Sequence, residues 1–419
     1  MNRMSLKTNF SWTLVGNLIY ALCQWGIIAS FAKFGSPEIV GRFSYALALT
    51  SPVFLFTSLK LRSAQATDQK HEYQFGDYLA TRLLTSVLAF ICIVLLAVYI
   101  CDDSDLVFIV ILIGAMKGIE SFSDIIYGLF QQEERMDCIS KSLMIRGIIS
   151  FFAVMILVVQ DKSLLVVLAA MFAVWTGVLV CYDVPKARTL LRGRRKNETL
   201  RPVWDEARIK ALVVLTLPLG GAVALGSLYT NLPRYFIKHQ LGVYDLGIFS
   251  ALAYFMLAGN TVINALGQSA SPRLARLHAE KKHQAFRRLL TKIVAIGFVL
   301  GCCGVLVAFF FGDSLLELFY SSEYAAHSDI FLLLMIAAGV QYTYIFLGSA
   351  INAMRLFRVQ VLVSLLSVVI LGICCYLFAG PFGLTGVVIA MIVVKILEAT
   401  VYLLLLLKFI GKNACGVEI

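Results

Sequence analysis

Long apolar runs, separated by short polar segments, dominate the amino-acid sequence. Runs of about 20 apolar residues can cross a bilayer core of about 30 Å as helices. Lipid offers no hydrogen-bond partner to a bare backbone, so the spans must be helical. We predict about twelve spans, near residues 9–33, 39–60, 77–100, 105–130, 142–159 and 163–183 in the first half and 210–232, 246–269, 290–311, 329–350, 361–379 and 383–407 in the second. The pattern therefore predicts an all-α polytopic membrane protein.

Two short matches that share a spacing of 206 residues indicate an internal duplication. Residues 41–44 read Gly-Arg-Phe-Ser and residues 247–250 read Gly-Ile-Phe-Ser, while residues 82–85 and 288–291 both read Arg-Leu-Leu-Thr. We therefore expect the two repeated arginines to share a structural role. The spacing grows to 220 after the fourth and tenth spans, which predicts an enlarged outer loop at about 312–328.

The longest polar stretch separates the two halves. We predict a six-helix lobe over 1–183, a basic cytoplasmic linker over 184–209 and a second six-helix lobe over 210–419. An even number of spans gives both lobes the same orientation. A pseudo-two-fold axis along the membrane normal is therefore expected to relate them.

Composition and charge refine this interpretation. The chain is 60% apolar and 15% charged, and its net charge is +11. With the N-terminus in the cytoplasm, the inner segments hold 25 of the 36 Lys and Arg residues, and the outer loops hold three. This asymmetry predicts cytoplasmic N- and C-termini and contact with membrane lipids, and no nucleic-acid partner. The ten cysteines form no spaced metal motif.

Several segments resemble one known family. Residues 9–12 (Asn-Phe-Ser-Trp), 41–46, 75–82, 132–137 and 231–235 are similar, in order and spacing, to segments of the polysaccharide flippases. These are the O-antigen and capsule repeat-unit translocases of the multidrug/oligosaccharidyl-lipid/polysaccharide exporter superfamily. The resemblance covers nearly the whole chain.

The resemblance implies a fold and a function. The fold is that of the multidrug-and-toxin-extrusion transporters, with two lobes that alternate access. The implied substrate is an oligosaccharide on undecaprenyl pyrophosphate, moved across the cytoplasmic (inner) membrane for O-antigen, lipopolysaccharide, capsule or exopolysaccharide synthesis. A polysaccharide polymerase and a chain-length regulator are candidate partners. The family shares no strict catalytic motif that could be carried over to this chain. We expect no cofactor, and H⁺ or Na⁺ is a candidate coupling ion.

Two other functions stay open at this point. An ion-coupled multidrug exporter would share the fold, and an anionic rather than a cationic cavity would distinguish it. A polysaccharide polymerase or glycosyltransferase would need large outer loops and paired acidic motifs. The predicted outer loops of this sequence are short and it has no paired acidic motif, which argues against an enzyme. The sequence contains no Walker loop and no zinc-protease or serine-hydrolase motif.

The fourth span carries the most informative charges. Lys117, Glu120 and Asp124 are three and four residues apart, so they share one helical face. Ionisable groups deep in a span are functional candidates by default. In one hypothesis the face lines a central cavity, where Lys117 attracts the pyrophosphate and Glu120 or Asp124 changes protonation. In the other, the three residues neutralise one another and pack the lobe.

Four further charged residues are candidates in other spans. Lys395 and Glu398, three residues apart in the twelfth span, predict a structural or gating ion pair or a substrate contact. Arg42 and Arg234 lie near the outer ends of their spans. Snorkelling is the default expectation for Arg42. Both arginines are also candidates for phosphate binding, because a guanidinium presents paired donors.

The remaining polar positions have alternative interpretations. Asn260 and Asn264 begin a polar stripe on the eighth span, which would either line a sugar-binding cavity or form interhelical hydrogen bonds. Arg82 and Arg146 lie within a turn or two of predicted span ends. We expect both to snorkel towards the membrane surface.

Overall fold

The computed structural model describes residues 5–68, 72–101, 103–194, 200–354 and 356–414. Over these ranges the chain consists of helices and short connections, without a strand. The predicted all-α class is confirmed. The chain forms two compact units, Met1–Ser227 and Leu228–Ile419.

The first unit is built from a succession of helices that begins at Leu6. They are α1 (Leu6–Phe34), α2 (Pro37–Thr57), α3 (Leu61–Thr67), α4 (Phe75–Ile100), α5 (Ser104–Gln132), α6 (Met136–Val159), α7 (Leu164–Val178), α8 (Val184–Arg194) and the first part of α9 (Glu206–Gln240). A π-helical turn, Leu179–Asp183, joins α7 to α8 without a break.

The second unit contains the rest of α9 and the helices that follow it. They are α10 (Val243–Ala279), α11 (His283–Phe319), α12 (Ser322–Ala325), α13 (Ser328–Ala353) and α14 (Phe357–Ala414).

Eleven helices among the described residues are long and apolar enough to cross a membrane. The last of them covers 50 residues, Val359–Lys408. At 1.5 Å per residue this is about 75 Å, more than twice the hydrocarbon thickness. Gly383 interrupts it with φ 59° and ψ −143°, a conformation that glycine adopts without the steric penalty of a Cβ. The helix therefore supplies two spans, and the total agrees with the twelve predicted.

Two segments that were expected to be non-helical form helices. The beginning of the predicted linker is α8, whose Ala187, Leu190 and Leu191 are buried in the core of the first unit. The predicted outer loop at 312–328 is mostly the end of α11 together with α12, so the extra residues lengthen a helix. The division into functional lobes at 184–209 stays a prediction.

Helix α5 occupies a central position in the first unit. It packs against α2, α3, α4 and α7, while α1 packs along α6. Its Ile125, Leu129 and Phe130 join the buried core with Leu61 of α3. Because α5 has neighbours on several sides, its polar side chains meet partners from other helices.

The core of the second unit depends on a close approach of α11 and α13. A Cβ added to Gly301 would lie 2.5 Å from the Cα of Gly339. Small residues allow membrane helices to pack backbone against backbone. Tyr342 and Phe346 of α13 belong to the buried hydrophobic cluster of this unit.

The burial pattern does not support the spacing of 206 between α4 and α11. In α11 the buried positions include 286, 290, 293, 297 and 301. The residues 208 positions before them, and also those 204 positions before them, are all buried in α4, whereas four of the five residues 206 positions before them are exposed. The Arg-Leu-Leu-Thr match at 206 is therefore two residues, or about 200°, out of phase. Arg82 is buried whereas Arg288 is exposed, so the expected shared role is wrong.

Candidate functional site: a charged network on α5

Helix α5 carries the three ionisable residues predicted from the sequence, but they do not form one trio. The Nζ of Lys117 lies 2.8 Å from Oε2 of Glu120, as the i,i+3 spacing allows. These side chains are 25% and 32% exposed. Asp124 pairs instead with arginines from other elements. The face therefore divides into a Lys117–Glu120 pair and a separate Asp124 site.

Arg146 of α6 provides a second cation for Glu120. Its Nη2 lies 3.7 Å from Oε1 of Glu120, and its side chain is only 3% exposed. The guanidinium carbon lies 5.1 Å from the ring centroid of Tyr20 and 4.6 Å from that of Trp175. Cation–π contacts stabilise a desolvated guanidinium by about 2 kcal/mol. The expectation that Arg146 snorkels to the membrane surface is therefore wrong.

Arg146 is nevertheless not fully satisfied. Its Nη2 donates to the Tyr20 hydroxyl over 3.3 Å, but Nε and Nη1 have no acceptor among the described residues. An unsatisfied buried donor costs about 1–3 kcal/mol, and more when it is charged. Arg146 therefore holds a fixed positive charge, with unused donors, beside the carboxylate of the Lys117–Glu120 pair.

Asp124 forms ion pairs with two arginines that approach α5 from α3 and α4. Arg82 Nη2 lies 3.1 Å from Oδ2, and Arg62 Nη1 lies 3.4 Å from Oδ1. Arg82 is 1% exposed, whereas Arg62 and Asp124 are each about one-third exposed. Arg62 also stacks over the Tyr127 ring at 5.6 Å. Arg82 is thus a buried ion-pair partner, and the expectation that it snorkels is wrong.

A buried carboxylic acid near this face was not singled out from the sequence. Asp183 lies in the π-helical turn and is fully buried. Its Oδ2 accepts a hydrogen bond of 2.9 Å from the Ser123 hydroxyl of α5. Asp183 directly follows an apolar run and was assigned to a span end, where a charge would be solvated. The π-helical turn buries it instead, and no local sequence signal marks that turn.

The network as a whole combines both signs of charge. Its members come from α1, α3, α4, α5, α6, α7 and the π-helical turn. The cationic side chains are Arg62, Arg82, Lys117 and Arg146, and the carboxyl groups are Glu120, Asp124 and Asp183. Three of these seven, Arg82, Arg146 and Asp183, are buried, whereas Lys117, Glu120, Asp124 and Arg62 are partly accessible. These four side chains are therefore the charged members of the network that a ligand can reach.

Arg42 lies outside this network. Its Nη1 forms a 2.9 Å ion pair with Asp103, and the two side chains are 36% and 44% exposed. Arg42 also lines a cavity of about 340 Å³ with Lys162 and the buried Phe31. An exposed ion pair contributes about 0–1 kcal/mol, so Arg42 can exchange its partner readily.

Lys395 and Glu398 of α14 meet at Tyr229 of α9. Both side chains are 4% exposed. The Tyr229 hydroxyl donates to Oε2 of Glu398 over 3.2 Å, and the Lys395 Nζ lies 5.6 Å above the Tyr229 ring. Within the described part of the chain, no N–O distance of 4.0 Å or less joins the two charges. The predicted pair is thus linked through an aromatic ring.

The other predicted residues of the second unit do not form one site. Arg234 bonds within α9, to the Thr230 carbonyl at 3.0 Å and the Asn231 side chain at 3.3 Å. Asn260 is buried and accepts a 3.1 Å hydrogen bond from Gln341, which matches the interhelical alternative. Asn264, four residues on, is exposed. The predicted polar stripe therefore has one packed and one accessible member.

Metal coordination is not evident in the ranges that the structure covers. They contain no group of three or more His, Cys, Asp or Glu side chains arranged to hold a metal ion. The acidic residues of the network pair with arginine, lysine or hydroxyl groups instead.

Comparison with known proteins assigns the chain to a family. Residues 6–278 match the family model described as "Polysaccharide biosynthesis protein". The capsular polysaccharide biosynthesis protein CapF of Staphylococcus aureus is 31% identical over 378 residues, which cover 90% of this chain and 93% of CapF.

Solved structures show the same fold. An inward-facing multidrug resistance MATE family transporter of the MOP superfamily aligns with a TM-score of 0.76 over 97% of this chain and 100% of its own, at 14% identity. The lipid II flippase MurJ, in an inward closed conformation, aligns with a TM-score of 0.72 over 94% of this chain and 87% of its own, at 13% identity. These similarities confirm the predicted fold. The family model and the similarity to CapF show that the chain belongs to the polysaccharide biosynthesis protein family, as the resemblance of its sequence segments predicted.

Proposed function

We propose that this protein is a flippase that moves undecaprenyl-pyrophosphate-linked oligosaccharide repeat units across the cytoplasmic membrane by alternating access. Family membership supports a role in polysaccharide biosynthesis. The fold, which is shared with a multidrug transporter and a lipid flippase, supports transport rather than catalysis.

A relative that aligns over most of both chains supports a destination for the repeat unit. CapF of Staphylococcus aureus is named for capsular polysaccharide biosynthesis. We therefore favour a capsular or exopolysaccharide unit, with O-antigen of lipopolysaccharide as the alternative in a host with an outer membrane. A polymerase and a chain-length regulator would act on the translocated unit. Both chain termini would lie in the cytoplasm.

The Lys117–Glu120–Arg146 arrangement is the observation that carries the proposal. Lys117 is partly exposed and is held 2.8 Å from Glu120. A pyrophosphate is a stronger anionic partner than one carboxylate, because it offers several charged oxygens. Lys117 would exchange Glu120 for the pyrophosphate, and Arg146 would keep Glu120 from following Lys117. Lys117 is thus the contact residue, and Arg146 is a positioning residue.

Carboxylates next to these cations would couple the cycle to an ion gradient. Protonation or Na⁺ binding at Glu120 would weaken its hold on Lys117 and release the cation for substrate. Asp124 and Glu398 are the corresponding candidates at Arg82 and Tyr229. The proposal needs no bound cofactor.

Five other residues would complete the substrate path. Arg42 and Arg234 would offer guanidinium donors to phosphate, and the accessible Asn264 would offer an amide to sugar hydroxyls. Lys395 and Asn260 are buried. They would contribute only in a conformation that exposes them.

Complementation of a flippase-null strain tests the proposal. Lys117→Gln should abolish surface polysaccharide at wild-type protein levels, whereas Lys117→Arg should retain part of it, because the charge is kept. Arg188→Gln is a matched control, since Arg188 is an exposed cation on α8. Undiminished polysaccharide with Lys117→Gln would overturn the assignment of the phosphate contact.

An ion-coupled multidrug exporter is the alternative that the fold allows. The structural similarity to MATE transporters is at 14% identity and shows only the fold. Lys117 and Arg62, the partly exposed cations of the α5 network, would repel a cationic drug. Increased drug susceptibility of a deletion strain, with normal surface polysaccharide, would favour the exporter.

A further inference from the structure

The first three turns of α11 form an open basic groove. Side chains spaced three and four residues apart surround a cavity of about 480 Å³. All six lining residues are exposed: Gln284, Arg287, Arg288, Thr291, Lys292 and Ala295. We refer to this surface as the α11 groove. The spacing places its three cations and two neutral polar groups on one side of a single helix.

The described residues supply no acidic partner to Arg288 and Lys292 of the α11 groove. The sequence has no Asp or Glu between His283 and Gly312. The acid that precedes the helix, Glu280, binds Arg276 and Lys282 at 2.8 Å each. In the part of the chain that the structure describes, neither Arg288 nor Lys292 has an ion-pair partner.

The uncompensated charge has a cost that an anion would remove. Arg288 and Lys292 are a like-charge i,i+4 pair, which destabilises a helix by a few tenths of a kcal/mol. The positive end of the helix dipole lies at the same end. Arg82, the arginine of the matching tetrapeptide in α4, has Asp124 as a counter-ion, whereas Arg288 has none among the described residues. The groove is therefore positioned for an anion from outside the protein.

The same side of α11 becomes apolar beyond the groove. Val299, Leu306 and Phe310 continue the line of Lys292 and are 57%, 55% and 68% exposed. From Lys292 to Phe310 the helix rises about 27 Å, close to the hydrocarbon thickness of a bilayer. Cations at head-group depth followed by an apolar stripe match the shape of an anionic lipid.

We propose that the α11 groove binds an anionic phospholipid. The head-group phosphate contacts Arg287, Arg288 and Lys292, because guanidinium groups bind phosphate oxygens in pairs. Thr291 and Gln284 donate to the glycerol or phosphate oxygens. The acyl chains follow the apolar stripe. This site is separate from the α5 network and does not depend on the proposed transport activity.

Native mass spectrometry of the full-length protein in detergent tests the site. The probes are phosphatidylglycerol and phosphatidylcholine with the same acyl chains. Wild type should bind phosphatidylglycerol at least tenfold more tightly. The double variant Arg288→Gln/Lys292→Gln should lose roughly 30-fold in phosphatidylglycerol affinity, at about 1 kcal/mol for each cation. Arg288→Lys should retain most of the affinity, because it keeps the charge.

A matched control separates a site from general charge attraction. Lys186→Gln/Arg188→Gln removes two exposed cations from α8 in the first unit and should leave the affinity unchanged. Equal loss in both double variants, or no loss in the α11 variant, overturns the proposal. Preference of wild type for undecaprenyl phosphate over phosphatidylglycerol, lost in the α11 variant, would also overturn it and assign the groove to the lipid carrier.

Discussion

The buried Arg82–Asp124 ion pair should be one of the most stability-critical polar contacts in the first unit. The change Asp124→Asn keeps the shape of the side chain and removes its charge. Arg82, which is 1% exposed, would then keep a positive charge without its closest counter-ion. Arg62 would lose the same partner, but it is about one-third exposed and can turn to solvent.

The size of the effect follows from the distance and the burial. Two unit charges 3.1 Å apart attract by about 5 kcal/mol at an effective dielectric constant of 20. Asp124 is one-third exposed, so solvent screening reduces this value. Removing one partner of a buried pair typically costs about 3–5 kcal/mol. We therefore expect Asp124→Asn to lower the free energy of unfolding by about 3 kcal/mol.

A double-mutant cycle identifies the origin of this loss. Most of the cost should come from the stranded charge of Arg82, so Arg82→Met/Asp124→Asn should be about 2 kcal/mol more stable than additivity of the single variants predicts. Equilibrium unfolding of the full-length protein in mixed micelles measures each value.

The Arg42–Asp103 pair is a matched control for burial. It has the same chemistry and a similar distance of 2.9 Å, but both partners are more than one-third exposed. Asp103→Asn should cost less than about 1 kcal/mol. If Asp124→Asn costs no more than Asp103→Asn, or if the cycle is additive, burial of Arg82 does not control the energetics and the reasoning is wrong.

Three further substitutions test packing and backbone geometry. Gly301→Ala should destabilise the second unit by about 1–3 kcal/mol, because the added Cβ would meet the α13 backbone. Gly304→Ala should be tolerated in the same unfolding assay, because its added Cβ would lie 3.9 Å from the nearest atom. Gly383→Ala should lower the free energy of unfolding by about 1–2 kcal/mol, because φ is 59° at this position, and should therefore lower the melting temperature. An unchanged melting temperature would contradict the bend between the two spans of α14. Trp175→Leu should remove about 1–2 kcal/mol by exposing one side of the Arg146 guanidinium, and Trp175→Phe should restore part of it, since an aromatic face is retained.

The spans and the local pairing on α5 were predictable from the sequence. A bilayer imposes a run length on every crossing helix, so apolar runs alone located the spans. The contact between Lys117 and Glu120 follows from their spacing on one helix. Neither prediction required knowledge of which helices pack together.

The partners of Asp124 and Arg146 depend on tertiary packing and were not predictable. Arg82 comes from α4, while Trp175 comes from α7, and no local pattern links either to α5 or α6. Both arginines lie close enough to span ends for snorkelling to be the default expectation. Helix packing overrode that default by enclosing them with counter-charges or aromatic rings.

The Arg-Leu-Leu-Thr repeat shows a different limit. Identical residues at 82–85 and 288–291 suggested equivalent positions, but a shift of two residues turns a helix by more than half a turn. The same tetrapeptide therefore buries its arginine in α4 and exposes it in the α11 groove. Burial periodicity along each helix therefore shows that identical residues at the spacing of 206 are not structurally equivalent.

Translocation of a lipid-linked oligosaccharide in proteoliposomes that contain only this protein tests the central claim most directly. Wild type should move an undecaprenyl-pyrophosphate-linked repeat unit to the opposite leaflet, as measured by its accessibility to an added glycosidase. Lys117→Gln should lower the initial rate at least tenfold, equivalent to about 1.4 kcal/mol, while Arg188→Gln should match wild type. A wild-type rate no higher than that of protein-free vesicles, or equal rates for wild type and Lys117→Gln, would contradict the account.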